Sequence, residues 1–359
     1  MKRVLVIVVT HNGMHWLQRC LDSVYADADL YVWDNDSVDG SADFVTARYP
    51  AAKLIRSAEN LGFSKPNNEG MKWALSHGYD YAYLLNQDAW LEAGALDKLV
   101  AAADAHPDFG LLSPLQMTDG YAGLDRQFAK ALKRGGRHAL DQVQPMFGPG
   151  PISGAGPGPV SVPPSGLQGI SGGPGPGGKM GPRPNDAWTR SKGCDAGTKS
   201  GQSVPGGAEN GDAGTKRVVS VPVPRVMAAH WLIPTGVIKR IGLFNEELFP
   251  LWGQDDDWCA RLDFCGLKIG VVPEARAVHD RAYRKEEKET LVRRNYYTGS
   301  LVRLCDCRRP LWVKFLYVIP FTLVKALKYR SWLSFKYFRT ILDLLPKVKE
   351  HRQNVRART

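Results

Sequence analysis

Residues 4–41 read VLVIVVTHNGMHWLQRCLDSVYADADLYVWDNDSVDGS, and this stretch decides the fold class. Val4–Val9 is an uninterrupted apolar run rich in β-branched residues, as expected for a strand buried on both faces. His15–Tyr25 carries apolar residues at helical spacing, and Leu30–Trp33 is a second apolar run that ends in polar residues. Strand, helix and strand in this order predict a βαβ unit with a right-handed crossover.

The same alternation continues to residue 115. Further strands are predicted at 53–55, 81–85 and 110–115, and further helices at 41–49, 68–77 and 93–106. Repeated units of this kind predict an α/β domain with a mostly parallel sheet flanked by helices. Ligands of such sheets bind beyond the carboxyl ends of the strands. The polar clusters at 10–12, 34–41 and 86–88 follow three strands and therefore predict the position of a binding site.

Composition and charge exclude several classes of protein. The chain has 359 residues, of which 43% are hydrophobic, so neither a wholly disordered chain nor a disulfide miniprotein is expected. Six scattered cysteines without CxxC spacing indicate reduced thiols and a cytoplasmic location. Residues 281–359 hold 20 Lys/Arg against 6 Asp/Glu, whereas the first 280 residues hold 27 against 30. A near-neutral body with a basic C-terminal part is not typical of a nucleic-acid binder and favours contact with a membrane surface or a phosphorylated lipid.

The composition changes abruptly between residues 148 and 217. Of these 70 residues, 31 are Gly or Pro, with no strict G-X-Y period, which predicts a flexible insertion rather than collagen. The predicted organisation is one half-domain at 1–147, the insertion at 148–217, a second half-domain at 218–285 and a basic helical region at 286–359.

The second half-domain repeats the pattern of strands and helices. Strands are predicted at 225–233 and 268–272, a short helix at 235–241, and a further helix that the acidic run 255–257 opens and that ends at Phe264. Leu311–Leu327 is the most hydrophobic stretch, but its 17 residues include two lysines and a proline. A membrane-spanning helix needs about 20 apolar residues, so a packed or interfacial helix is predicted.

Seven short motifs lie at the predicted strand ends and around the second half-domain. They are VVTHN at 8–12, WDNDSVDGS at 33–41, NLGFSKPNNEG at 60–70, LLNQDA at 84–89, GLFNEELF at 242–249, QDDDWCAR at 254–261, and PEA at 273–275 with VH at 278–279. In this order they resemble the motifs of the family 2 glycosyltransferases of the GT-A fold, especially the bacterial rhamnosyltransferase-like branch. The resemblance covers roughly residues 1–120 and 220–300. No glycine-rich phosphate loop follows the first strand, which disfavours ordinary dinucleotide binding.

The resemblance implies an inverting glycosyltransferase that moves a sugar from a nucleotide-diphosphate sugar to a hydroxyl of a surface glycan, carried on a lipid. It implies that the nucleotide is bound by Thr10, Asn12, Asp34, Asn60, Gly62 and Asn68. It implies that a divalent cation, Mg²⁺ or Mn²⁺, is held by Asp88, with His279 and Asn86 beside it. Asp255 is implied as the general base, supported at the acceptor site by Trp252, Asp256, Asp257 and Arg261. The enzyme would work in the cytoplasm, peripherally at the inner face of the membrane.

Other interpretations of the same residues remain open at this point. Asn86 and Gln254 stand where the family usually has acids, and Asp256 competes with Asp255 for the role of base. Asp255–Asp257 could stabilise a helix N-terminus, Asp88 could cap a helix, and Asp34–Ser41 could be an Asx turn. His279 could be a structural histidine and the basic C-terminal part a solvated surface. A nucleotidyltransferase, or a non-catalytic relative that only binds nucleotide or glycan, are the alternative functions.

Overall fold

The computed structural model describes residues 2–119, 123–134, 218–221, 227–280, 288–329 and 332–358. The predicted insertion at 148–217 lies outside the described residues, so the division into two half-domains around it stays a prediction.

The described part is a nine-stranded sheet with helices, as the sequence predicts. The strands are β1 Val4–Thr10, β2 Asp29–Asn35, β3 Lys53–Ser57, β4 Tyr81–Asn86, β5 Ala89–Leu91, β6 Phe109–Met117, β7 Val219–Val221, β8 His230–Pro234 and β9 Lys268–His279. Five helices accompany the first six strands: α1 Met14–Asp22, α2 Ser41–Arg48, α3 Ser64–Ser76, α4 Ala95–Ala105 and α5 Arg126–Arg134. The predicted α/β fold class and the helical C-terminal region are confirmed.

The sheet is mixed, which refines the expectation of a mostly parallel sheet. The strand order is β3-β2-β1-β4-β8-β6-β9-β5, with β7 paired to β9. Strands β3, β2, β1 and β4 are mutually parallel, and β6 is parallel to β9. Strand β8 is antiparallel to both β4 and β6, and β5 and β7 are antiparallel to β9. Antiparallel neighbours need no helical crossover, so the βα alternation that predicts direction in the first half carries no such information for β8.

Both faces of the sheet are buried. Ile7, Leu84 and Trp231 belong to a cluster on one face, and Val6, Val8 and Leu85 belong to a cluster on the other. Alternate residues of β1 therefore enter different clusters, as the period of two in a strand requires. Packing on both faces explains why β1 is an uninterrupted apolar run.

Helices follow β8 and fill the C-terminal part. They are α6 Thr235–Ile241, α7 Gln254–Phe264, α8 Lys288–Val292, a π-helical turn Arg293–Thr298, α9 Gly299–Cys305, α10 Leu311–Tyr329, α11 Leu333–Asp343 and α12 Leu345–Arg356. Residues of α9–α12 form a third apolar cluster together with Leu248 and Phe249, which precede α7. The C-terminal region is thus packed on the segment that leads into the acidic helix. Among the helices of the described ranges, none has the length and apolarity to span a bilayer.

Candidate functional site

The carboxyl ends of β1, β2 and β4 meet at one edge of the sheet. The register pairs Thr10 with Asp34 and Val9 with Asn86. The side-chain oxygen Oε1 of Gln87 accepts hydrogen bonds from the Thr10 hydroxyl and from the His11 amide, both at 2.8 Å. The predicted juxtaposition of these three polar strand ends is therefore present in the structure.

Asn12 connects the first strand end to the loop after the second. It has a positive φ of 49°, a conformation that Asn tolerates better than most residues. Its amide nitrogen donates to the Ser37 hydroxyl at 3.0 Å, and its side-chain oxygen accepts from the Val38 amide at 2.9 Å. Asn12 thus fixes the loop at 34–41 through both its backbone and its side chain.

Asp34 carries a buried carboxylate with one unused oxygen. The residue is 3% exposed, and its Oδ1 accepts from the Ser37 amide at 3.0 Å, which is the Asx turn considered above. Its other oxygen, Oδ2, is buried and has no hydrogen-bond partner in the structure. A buried carboxylate oxygen without a partner is costly, so this atom is suited to accept a hydrogen bond from a ligand hydroxyl or a water.

Asn60 and Gly62, in the loop after β3, lie beside the carboxyl end of β2 at this edge of the sheet. The Asn35 side-chain amide donates to Asn60 Oδ1 at 3.0 Å and to the Gly62 carbonyl at 2.7 Å. Gly62 has a positive φ of 78°, and an added Cβ would lie 2.7 Å from the Pro250 carbonyl oxygen. The amides of Phe63 and Ser64 donate to that same carbonyl at 3.0 and 3.2 Å. Glycine is needed here because the segment before α7 passes so close.

Asn68 has a different environment from the other predicted nucleotide-binding residues. It is 1% exposed, its Nδ2 donates to the Phe244 carbonyl and to Glu246, and its Oδ1 accepts from the Phe244 amide. These bonds join α3 to the segment that follows α6. In the structure Asn68 therefore holds two parts of the chain together, and its placement in a nucleotide pocket stays a prediction.

Asp88 and His279 lie side by side: Asp88 is between β4 and β5, and His279 is the last residue of β9. The antiparallel pair β5–β9 places Ala89 opposite His279, and the Asp280 amide donates to the Asp88 carbonyl at 2.8 Å. His279 Nε2 lies 3.4 Å from Asp88 Oδ1, and both residues are 5% exposed. Asn86 is engaged through its backbone, which donates to the Ala229 carbonyl and accepts from the Cys20 thiol.

A buried histidine supports this pair from the neighbouring strand. His230 on β8 contacts the Tyr83 hydroxyl at 2.9 Å through Nδ1 and the Val278 carbonyl at 3.0 Å through Nε2. Burial, opposed in part by the contact with the Val278 carbonyl, lowers the pKa of His230 to about 3. The ring is thus a neutral link between the strands that carry Asp88 and His279.

The acidic motif forms the first turn of α7, as predicted. Gly253, which precedes the helix, has a positive φ of 89° and lies against Thr298 of the π-helical turn. Asp255 and Asp256 are half-buried, and Asp255 Oδ1 accepts from the Asp256 amide at 3.0 Å. This contact agrees with the stabilising role of acids at a helix N-terminus, which does not exclude a second role.

Asp257 and Arg261 form a buried ion pair in the same helix. Arg261 Nε donates to Asp257 Oδ2 at 2.9 Å, and its other nitrogens donate to the carbonyls of Ile241 and Leu243. The second oxygen of Asp257 contacts His351 Nε2 at 2.9 Å. Burial alone would raise the pKa of Asp257, but the charge of Arg261 and the contact with His351 bring it below the ordinary value. The pair supports α7 from within, and its predicted role in supporting an acceptor site stays a prediction.

Asp257, Cys305 and His351 also form a group whose ligand atoms lie close enough together to hold a metal ion. Both oxygens of Asp257 already accept hydrogen bonds, one of them from the Arg261 guanidinium. Burial raises the pKa of the Cys305 thiol well above its ordinary value, so the metal-binding thiolate is disfavoured. A fixed cation and a neutral thiol make this group an ion-pair network rather than a metal site.

Gln254 and Trp252 flank the start of α7. Gln254 is 6% exposed, and its Oε1 is buried without a hydrogen-bond partner in the structure. Trp252 is half-buried, and the Arg293 guanidinium lies 6.0 Å from its ring centre. The predicted acceptor-side residues Trp252, Asp255 and Asp256 are thus neighbours in the chain, and Trp252 lies beside the π-helical turn.

Three residues of the site are not predicted by the sequence motifs. Gln87 lies inside one of them but has no assigned role there, although its oxygen joins β1 to β4. Asn245 and His351 contact each other at 3.1 Å across 106 residues of sequence. No local pattern marks His351, which belongs to a basic helix of ordinary appearance.

Comparison with known proteins relates part of this chain to a protein family. Residues 5–139 match the family model described as Glycosyl transferase family 2. Two curated relatives, from Mycobacterium tuberculosis strains CDC 1551 / Oshkosh and ATCC 25618 / H37Rv, are both named N-acetylglucosaminyl-diphospho-decaprenol L-rhamnosyltransferase. Each is 28% identical over 152 residues, which cover 38% of this chain and 48% of the relative. The chain therefore spans about half the length of the curated relatives it matches.

Solved structures of S. aureus TarS 1–349 are similar to this chain at low identity. The complex with UDP has a TM-score of 0.45 at 13% identity, and the matched region covers 88% of this chain and 69% of the TarS chain. The complex with UDP-GlcNAc has a TM-score of 0.46 at 13% identity and covers 91% and 73%. The family model bears out the resemblance of the motifs over residues 5–139, which include the first four of the seven.

Proposed function

We propose that the chain is an inverting glycosyltransferase that moves a hexosyl or deoxyhexosyl group from a nucleotide-diphosphate sugar to a saccharide hydroxyl. The observation that carries the proposal is the edge of the sheet at which Asp34 lies at the end of β2, Asp88 follows β4 and His279 ends β9. The unused oxygen of Asp34 can accept a hydrogen bond from a nucleoside hydroxyl, and the buried Asp88 carboxylate can help to hold a cation that neutralises the diphosphate.

The nucleoside would be bound at the first of these carboxylates. Asp34 Oδ2 has no partner in the structure, so a sugar hydroxyl that donates to it would remove the cost of leaving a buried acceptor unsatisfied. Thr10, Asn12, Asn60 and Gly62 surround the same strand ends and would shape the pocket. A hydroxyl donor favours the ribose of a nucleotide over an anion, which the carboxylate would repel.

Asp88 and His279 fit a divalent cation. The Asp88 carboxylate is the kind of oxygen ligand that Mg²⁺ or Mn²⁺ prefers, and the His279 imidazole, 3.4 Å from it, would lie beside the bound ion; both residues are 5% exposed. A bound cation would supply positive charge at the diphosphate as it leaves. With so few protein ligands, substrate phosphates would complete the coordination.

Asp255 is proposed as the general base. It lies half-buried in the first turn of α7, while Asp257 in the same turn is committed to Arg261 and His351 and is therefore unsuited to accept a proton. A carboxylate placed at the acceptor hydroxyl would take its proton as the oxygen attacks the anomeric carbon. Attack from the side opposite to the leaving diphosphate would invert the configuration there.

The acceptor would be a lipid-linked saccharide, met at an anionic membrane surface on the cytoplasmic side. The curated relatives are named for a diphospho-decaprenol substrate, and helix α10 has a solvent-exposed apolar face. Trp312, Leu316, Ile319, Leu323 and Leu327 recur every three or four residues and are 48–78% exposed. Lys328, Lys336 and Arg339 are exposed nearby in sequence, so apolar and cationic contributions to interfacial binding coincide.

Release of the nucleotide product distinguishes the proposal from its alternatives. A panel of nucleotide sugars is incubated with the chain, with and without a lipid-diphosphate saccharide, and the released nucleotide is identified; a parallel incubation contains nucleoside triphosphates and a sugar phosphate. The proposal predicts a nucleoside diphosphate whose release is stimulated by the acceptor. Pyrophosphate produced from a nucleoside triphosphate would indicate a nucleotidyltransferase, and nucleotide binding without release from any donor would indicate a non-catalytic relative.

A further inference from the structure

Helix α12 contacts the acidic helix through one buried side chain. His351 is 7% exposed, and its Nε2 lies 2.9 Å from Asp257 Oδ1, 94 residues away in sequence. The next residue, Arg352, is also buried and donates to the carbonyls of Leu304, Asp306 and Arg309. One turn of α12 is thereby attached both to α7 and to the end of α9 with the loop that follows it.

The hydrogen bonds assign the proton of His351. Asn245 Oδ1 accepts from the amides of Glu247 and Leu248, so its side-chain NH₂ group faces His351 Nδ1 at 3.1 Å. Nδ1 must therefore accept, and Nε2 carries the hydrogen that is donated to Asp257. Both ring nitrogens have definite and different roles, which distinguishes this histidine from one that merely fills space.

The same helix also holds the segment that leads into α7. Lys347 forms an ion pair with Glu247, and Asn245 links His351 to the turn that ends at Phe249. On its other side this segment is bound by Ser64, whose hydroxyl donates to the Phe249 carbonyl, and by Asn68. The start of α7 is therefore oriented by α12 on one side and by α3 on the other.

We propose that His351 is a positioning residue for the reaction, acting through Asp257 on the orientation of Asp255 and Asp256 at the start of α7. This inference rests on the proposed function, since it assigns the C-terminal helix to the acceptor side of that site. Asp255 and Asp256 precede Asp257 directly, so a shift of the buried carboxylate is transmitted to both. Small displacements of a catalytic group reduce turnover strongly. The sheet edge where the nucleotide is proposed to bind is formed by α3 and the carboxyl ends of the strands, and we expect a displacement of α7 to leave it unchanged.

Two substitutions separate the two hydrogen bonds of His351. In His351→Gln the side-chain NH₂ group can replace Nε2 and donate to Asp257. In His351→Asn the shorter side chain can still accept from Asn245 but does not reach Asp257. Gln353, which is exposed two residues further along α12, gives the surface control Gln353→Ala. Both test variants introduce an amide into the same buried position, so a general cost of replacing histidine affects them alike.

The positioning role predicts different kinetics for the two variants. We expect His351→Asn to lower kcat about tenfold or more, with the donor KM within about twofold of the wild type. We expect His351→Gln to retain kcat within about threefold. Equal losses in both variants that follow their melting temperatures would overturn the proposal, and so would full kcat in His351→Asn.

Hydrogen exchange tests the link without any substrate. Amides of the peptide that covers 250–262 should exchange at least about fivefold faster in His351→Asn than in the wild type, with β1 and β4 unchanged and His351→Gln close to the wild type. This result with no sugar transfer by the wild type would refute the proposed function and leave the positional link intact. Unchanged exchange at 250–262 in His351→Asn would refute the link whatever the activity.

Discussion

At the scale of single residues, Asp255 and Asp256 are adjacent carboxylates with different expected roles. We expect Asp255→Asn to lower kcat by at least about 10², because an amide of the same shape cannot accept the proton. Donor affinity should change little, since the nucleotide is bound at the sheet edge. Asp256→Asn is the matched control, with an expected loss below about tenfold. Steady-state kinetics of both variants test the assignment, and the reverse pattern would move the role of base to Asp256.

Asp88 should couple the binding of metal and donor. Because Asn86 is neutral, Asp88 is the only carboxylate of its motif, so the free protein should bind Mn²⁺ weakly and the donor should strengthen that binding. Donor titrations by calorimetry with Mn²⁺ and with chelator should differ by about tenfold or more in affinity. Asp88→Ala should remove this difference while His279→Ala reduces it less. Equal donor affinity with full activity in chelator contradicts the metal assignment.

Asp306 should make the stability of the C-terminal region depend on pH. Burial opposes its ionisation, but hydrogen bonds from Arg308 and Lys314 prevail and lower its pKa to about 2. A lowered pKa in the folded state stabilises the protein above the unfolded value, near 4, and this contribution is lost as the pH falls towards 2. Asp306→Asn should therefore cost about 2 kcal/mol of unfolding free energy at pH 7 and almost nothing at pH 2.

Denaturant unfolding at several pH values measures this difference. Asp263 is the matched control, because it also contacts Arg308, at 3.1 Å, but its side chain is 41% exposed. Asp263→Asn should cost less than about 1 kcal/mol at pH 7. A destabilisation of Asp306→Asn that stays constant from pH 7 to pH 3 would show that the carboxylate's charge is not responsible.

At the scale of elements, α10 has one face that packs and one that does not. Val318 and Thr322 are buried, and the Thr322 hydroxyl lies 2.6 Å from that of Tyr296. The opposite face holds the exposed apolar residues described above. The 17-residue apolar stretch predicts the helix, but its two faces depend on α8–α12 and could not be read from hydrophobicity alone.

The exposed face of α10 should bind anionic bilayers. The triple substitution Leu316→Ser, Leu323→Ser, Leu327→Ser should lower partitioning onto vesicles with anionic lipid by at least about tenfold, because each leucine contributes apolar area to binding. Val38→Ser is the control, since Val38 is 87% exposed but belongs to the loop after β2. Vesicle sedimentation at low and high salt measures both variants. Partitioning of the triple variant equal to that of the wild type would contradict the assignment of this face.

At the scale of the whole molecule, sequence reasoning succeeds where contacts are local. Helical spacing and buried apolar runs predict the strands β1–β4 and the helices α1–α3 to within a few residues. The polar strand ends at Thr10, Asp34 and Asn86 predict the edge of the sheet where they meet. The direction of β8 and the partner of Asp257 depend on residues far apart in the chain. The link of His351 to Asp257 spans 94 residues, and no periodicity or motif encodes it.

The C-terminal region also has contacts that its sequence composition does not predict. Its basic charge predicts a peripheral extension, yet His351 and Arg352 are buried in contacts with α7 and α9. Burial of this kind follows from tertiary packing, which composition does not determine. Removing the region would therefore disturb the acidic helix as well as any membrane contact, so single-face substitutions are the better test of each role.

The anomeric configuration of the transferred sugar tests whether the chain is an inverting glycosyltransferase with Asp255 as its base. The chain is incubated with the donor that the panel selects, Mn²⁺ and a short-chain lipid-diphosphate saccharide, and the product is analysed by mass spectrometry and NMR. We expect a product heavier by one sugar residue, with an anomeric configuration opposite to that of the donor, and we expect Asp255→Asn to form none of it. A product with the donor's own configuration, or full product formation by Asp255→Asn, would contradict it.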